Sequence, residues 1–146
     1  VDEIGVDAIL VKMPFNMAIF DSNRIDDVMD IYPTIQTWYL SGHSMGGAMA
    51  SNYMASHPDK IEGLILLGSY IYGDVSVEDT LTIYGSLNTS VADKVDYDTN
   101  VVIIDGGNHA QFGNYGDQKG DAPATISRLK QQNETVQAIK EFINNR

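Results

Sequence analysis

Thr37-Trp38-Tyr39-Leu40-Ser41-Gly42-His43-Ser44-Met45-Gly46-Gly47-Ala48-Met49-Ala50 is the stretch that decides the fold. Its opening is aromatic and β-prone, its end favours helix, and between them a serine stands in the pattern G-x-S-x-G. The pattern predicts a strand that turns sharply into a helix with Ser44 on the turn. A serine there takes a strained backbone conformation that pushes Oγ out of the sheet, and side chains at positions 42 or 46 are expected to collide with the neighbouring strand and helix. By composition alone G-x-S-x-G arises in roughly 5% of chains of this length. The strand-to-helix setting is what gives it weight.

A serine on such an elbow needs a base, and the chain carries a histidine in a fitting place. Val101-Val102-Ile103-Ile104 is a β-branched run suited to a buried parallel strand, and Asp105-Gly106-Gly107-Asn108-His109 follows it. His109 therefore leaves the carboxyl end of its strand, the same edge from which Ser44 projects, and that edge is where open α/β sheets bind ligands. The chain order is serine, acid, histidine, which differs from the orders of the chymotrypsin and subtilisin triads.

These segments, with His57-Pro58-Asp59-Lys60-Ile61, Thr82-Ile83-Tyr84-Gly85-Ser86 and Gly106-Gly107-Asn108-His109-Ala110-Gln111-Phe112-Gly113, make nearly the whole chain resemble the bacterial α/β-hydrolase family that includes small carboxylesterases and dienelactone-hydrolase-like proteins. The resemblance implies a serine hydrolase with a Ser-acid-His triad acting on esters, without cofactor. After its strand the family pattern resembles Gly-Ser-x-Asp, and here it is Gly85-Ser86-Leu87-Asn88, with an asparagine where the acid belongs. Asn88 and Asp93 stand as equal candidates to orient His109, with Asp74 behind them. An amide holds an imidazole but does not stabilise imidazolium as a carboxylate does, and in a related triad that exchange costs about 10⁴ in kcat.

Composition bounds the rest. A length of 146 residues with 43% hydrophobic content fits one globular domain over 1–146, able to bury about 68–70% of its unfolded surface. The net charge of −11 and the pI near 4.3 speak against nucleic-acid and anionic-membrane partners, which repel such a chain. With no cysteine there is neither disulfide nor thiolate metal site. Three scattered histidines without an i, i+4 pair give no metal signal, and Asp117 and Asp121 lack Ca²⁺-loop spacing, which makes them solvated carboxylates. The compartment is left open.

Strand and helix alternate, as a parallel sheet covered on both faces requires. Expected strands are 8–12, 36–40, 63–67, 81–84 and 101–104. A helix capped at Asp21 or Ser22 carries Ile25, Val28, Met29 and Tyr32 and ends at Pro33; another spans 44–57; a C-terminal helix shows Leu129, Val136, Ile139 and Ile143 on one face. Residues 106–123 form a long glycine-rich loop over the active edge. The expected fold is thus a compact or truncated α/β-hydrolase fold of about five parallel strands with helices on both faces.

The helix after Ser44 is small-sided, through Gly46, Gly47, Ala48, Ala50, Ser51 and Ala55, which lets it lie close to the sheet. Its N-terminus faces Ser44, so the Met45 N–H is an expected oxyanion donor. At its front the chain is expected to depart from the family, in lacking the N-terminal strands that precede the segment resembling 6–15. A bare inner position would leave backbone groups unpaired at about 1–3 kcal/mol each. Residues 8–12 are therefore expected either to pair directly with the elbow strand, making Phe15 N–H the second oxyanion donor, or to leave room for a strand donated by a second copy in a homodimer.

His43 and His57 are expected to be structural, and Phe15, Met17, Met45, Tyr70 and Tyr72 are candidates to line an acyl pocket. The resulting expectation is cleavage of a small carboxylic ester through an acyl-enzyme on Ser44. The alternatives are a degenerate hydrolase domain with a binding or structural role, and thioester hydrolysis or acyl transfer on the same triad.

Overall fold

The computed structural model describes residues 5–11 and 24–146. Four strands, β1 (Tyr39–His43), β2 (Gly63–Leu67), β3 (Thr80–Gly85) and β4 (Val101–Ile104), form one parallel sheet in the order β1-β2-β3-β4. Between and around them lie α1 (Arg24–Ile31), α2 (Met45–Ser56), α3 (Thr89–Ala92) and α4 (Arg128–Asn144), with 3₁₀ turns at Pro58–Lys60 and Ala110–Phe112. Among the described residues no helix is long and apolar enough to cross a membrane.

Two apolar clusters sit on opposite faces of this sheet, as strand alternation dictates. Leu64 and Leu66 pack with Ala50, Tyr53 and Met54 of α2, and Ile25 and Met29 of α1 close the same side. Ile65, Leu81 and Ile83 point the other way and pack with Ala138 and Phe142 of α4. Each cluster encloses side chains that are nearly or wholly withdrawn from water, and burying each such side chain is worth about 1.5–3 kcal/mol. The acidic α1 is tied down by Asp26, which accepts from Tyr53 Oη at 2.7 Å and from Lys60 Nζ at 2.6 Å. The Lys60 ammonium, and then the Tyr53 hydroxyl, hold the Asp26 carboxyl below its ordinary range.

Several boundaries differ from the sequence expectation. The elbow strand runs Tyr39–His43 rather than 36–40, because the ladder from Tyr39↔Gly63 to His43↔Leu67 carries Ser41, Gly42 and His43 into the sheet. Tertiary pairing here overrides poor strand propensity. The expected strand at 8–12 is not seen: residues 8–11 are irregular, Lys12 lies outside the described residues, and β2 is the only ladder partner of β1 among those described. The described sheet has four parallel strands, as a compact α/β-hydrolase fold requires, and the direct pairing of 8–12 with the elbow strand is corrected. The expected helix cap at Asp21 or Ser22, and Phe15 with Met17, lie outside the described residues.

The C-terminal helix turns inward a stripe centred beside the expected one. Leu129 is 68% exposed, whereas Gln131, Thr135, Ala138 and Phe142 are buried, and the expected Ile139 and Ile143 are partly buried against the second cluster. A purely apolar pattern passes over the centre of the stripe, because two of its four buried members are polar and satisfied. Gln131 reaches the 108 peptide, and Thr135 Oγ1 donates to Gln131 O at 2.8 Å.

At the carboxyl edge, the residue leaving each of the first three strands is tied to the next strand. Ser44 N donates to Leu67 O at 3.0 Å, Gly68 N to Ile83 O at 2.8 Å, and Ser86 N to Ile104 O at 2.9 Å.

Candidate active site

Ser44 has φ 55° and ψ −123° between β1 and α2, a region that a non-glycine residue enters only when its surroundings enforce it. The enforcement comes from the bond of its N–H to Leu67 O and from close passage of the turn over Gly42. A Cβ on Gly42 would stand 2.3 Å from the Gly46 carbonyl carbon. Gly46 is different, since a Cβ there meets nothing within 4 Å. The expected collision at both flanks thus holds at position 42 and not at 46. Ser44 Oγ does not cap α2, and Met45 is the first helical residue, whose N–H has no intrahelical acceptor.

His109 follows β4 on the loop that opens with Asp105. Its ring lies over Gly68, where a Cβ would come within 2.9 Å of Nδ1. Gly68 has φ +53°, so backbone conformation and the closeness of the imidazole both favour glycine here. Leu67, which holds the Ser44 amide, is the residue before Gly68, and this brings imidazole and elbow to adjoining strand ends. No hydrogen bond joins Ser44 Oγ to His109 among the described residues.

Three side chains fix His109, and a fourth fixes the residue before it. Asn88 Nδ2 stands 2.8 Å from Nδ1, and Asn88 is 4% exposed. Asp121 spans the start of the 3₁₀ turn, accepting from His109 N at 3.1 Å and Ala110 N at 2.7 Å. His43 Nε2 donates to His109 O at 3.0 Å, with the two rings 4.6 Å apart. A carbonyl only accepts, so His43 carries its proton on Nε2, and Nδ1 is free to accept from Tyr115 Oη at 3.0 Å. Gln131 holds the preceding residue, accepting from Asn108 N at 3.1 Å and donating to Asn108 O at 2.8 Å.

Burial, above all, lowers the His109 pKa from its ordinary value, with Asp121 opposing weakly; burial and then the neighbouring His109 ring lower that of His43. Both rings are thereby kept neutral near pH 7.

Asn88 meets His109, whereas Asp93 is exposed at the C-cap of α3 and Asp74 is exposed in the loop after β2, so the balance between Asn88 and Asp93 goes to Asn88. Asp121 is corrected from a solvated carboxylate to a backbone clamp, and His43, expected to be structural, links the serine strand to the histidine loop. Asp121 and Gln131 left no sequence signal, because each acts on a backbone group more than ten residues away. Met45 and Tyr72 are each 54% exposed. A cavity of about 310 Å³ lies behind the histidine loop, lined by residues including Asn108, Gln111, Asp117, Gln118, Asp121 and Pro123. Neither Ser44 nor His109 lines it. Among the described residues no group of three His, Asp or Glu side chains could hold a metal ion.

Against this geometry, the family model described as "Alpha/beta hydrolase family" matches residues 1–133. The chain belongs to the α/β-hydrolase family. Comparison with curated proteins and with solved structures gives no match. Membership accounts for the serine elbow after a parallel strand and for the histidine after the last one.

Proposed function

We propose that this α/β hydrolase cleaves small carboxylic esters through an acyl-enzyme on Ser44. The observation that carries the proposal is the Ser44 backbone at φ 55°, ψ −123°, a strain that a purely structural serine has no reason to keep. Ser44 Oγ attacks the ester carbonyl while His109 Nε2 takes the hydroxyl proton. The carbonyl oxygen becomes an oxyanion beside the Met45 N–H at the start of α2, where a donor without an intrahelical acceptor and the helix dipole favour negative charge. His109 returns the proton to the leaving alkoxide, and water repeats the sequence to release the acid. The exposed apolar Met45 and Tyr72 suit a short acyl group. Thioesters fit the same chemistry.

A second reading, a weakened or degenerate hydrolase, is favoured by one specific observation. The third position is an amide, and its nitrogen faces the imidazole.

A burst assay with a short p-nitrophenyl ester, run beside a serine-reactive phosphonate, tests both. The expected result is a stoichiometric burst, a single adduct on Ser44, and loss of roughly 10⁴-fold or more in kcat for Ser44→Ala. An adduct on another serine, or turnover without an adduct, removes Ser44 from the role. Absence of both turnover and adduct selects the degenerate reading.

A further inference from the structure

The Asn88 side chain is bonded at both ends. Its nitrogen faces His109 Nδ1 at 2.8 Å, and its oxygen accepts from Ser90 Oγ at 2.9 Å. An amide N–H only donates, so a neutral His109 in this arrangement holds its one proton on Nε2. The ring then has no lone pair to offer a serine hydroxyl. A half turn of the amide, which barely alters its shape, reverses everything: Oδ1 accepts from Nδ1–H, Nε2 becomes the base, and Nδ2 donates to Ser90. A carboxylate at 88 would permit only the second state. An amide permits both, and the group at its far end weighs them. That group is Ser90, whose hydroxyl can donate or accept.

We propose that Ser90 is a positioning residue that sets the tautomer of His109 through the Asn88 amide. It follows that a pure acceptor at position 90 locks the ring in its base-competent form. The inference rests on His109 acting as base for Ser44, as argued above. Ser90 is exposed on the first turn of α3, two residues after Asn88, so a carboxylate there stays solvated and within local reach. Facing that carboxylate with the amide oxygen would set two acceptors together without a hydrogen between them. Facing it with the amide nitrogen makes a charge-assisted bond, roughly twice as strong as a neutral one.

The test is ¹⁵N NMR of the His109 ring nitrogens, above the imidazole titration, in the full chain and in Ser90→Asp, Ser90→Thr and Asn88→Asp. It is accompanied by kcat and KM for a short p-nitrophenyl ester. Asn88→Asp supplies the reference spectrum of the Nδ1–H form. Ser90→Asp is expected to move to that spectrum and Ser90→Thr, which keeps the hydroxyl, to match the wild type. The kcat of Ser90→Asp should rise about tenfold or more at unchanged KM, as for a competent form populated at roughly 10% or less. Ring nitrogens in Ser90→Asp that equal the wild type, or a wild type already in the Nδ1–H form, overturn the proposal. A tautomer that moves while kcat does not supports the role of Ser90 and tells instead against His109 as the base for Ser44.

Discussion

Ser44 and His109 reach the same sheet edge by different means. Backbone holds the serine: a ladder bond to Leu67, a strained φ, and a glycine beneath the turn. Side chains hold the histidine: Asn88, His43 and Asp121, all polar and all from other segments. Geometry fixed by backbone tolerates changes of side-chain chemistry around it. Geometry fixed by side chains carries their chemistry into the site, which is why a single amide at 88 can decide whether a well-placed imidazole is a base.

The sharpest way to break this contrast is Asn88→Asp. A carboxylate accepts only, so it selects Nδ1–H and stabilises imidazolium, and kcat for the ester should rise by between about 10-fold and 10⁴-fold. Steady-state kinetics on the purified variant check it. An unchanged or lower kcat would mean that the acid position is supplied from elsewhere. At the backbone-held end the matching experiment is a pair. Gly42→Ala should cost about 3 kcal/mol or more, since its Cβ meets main chain, whereas Gly46→Ala in open space at the start of α2 should gain about 0.5–1 kcal/mol. Urea denaturation of both variants reads the difference directly, and equal effects would sink the account of the elbow.

The smallest expected effect is in pH. Burial lowers the His109 pKa, so the ascending limb of kcat/KM should have its midpoint below about 6.5. In Asn88→Asp the added negative charge should move that midpoint upward. The sign for stability follows the same shift. As pH falls below the unfolded value the unfolded chain takes up protons that the folded His43 and His109 resist, so stability declines on acidification until the folded pKa is passed. A kcat/KM limb centred above the ordinary histidine value would contradict the burial seen at His109.

How much was legible in sequence divides along the same line. The elbow and the β4-to-His109 exit were readable because each is local: an apolar run, a glycine, and the functional residue within a few positions. The buried face of α4 was not, because Gln131 and Thr135 occupy core positions that an apolar pattern skips. Asp121 could not be told from any loop carboxylate, since its partners are the backbone of His109 and Ala110. Spacing alone could not rank Asn88 against Asp93; that took the short helix α3, which leaves Asn88 at its start facing inward and Asp93 at its end facing water. The end of β1 is not legible in the same way, because Ser41 and Gly42 are poor strand formers that pairing with β2 recruits.

The amides of Ser44, Gly68 and Ser86, each bonded to the strand beside it, couple the exits of the sheet in series. A loop hinge beneath the serine would have to break the first of these bonds, and the ring of His109 rests over the residue that makes the second. Relative motion of Ser44 and His109 is therefore channelled into twisting of the whole sheet, a stiff collective mode, rather than into the independent wandering of two loops.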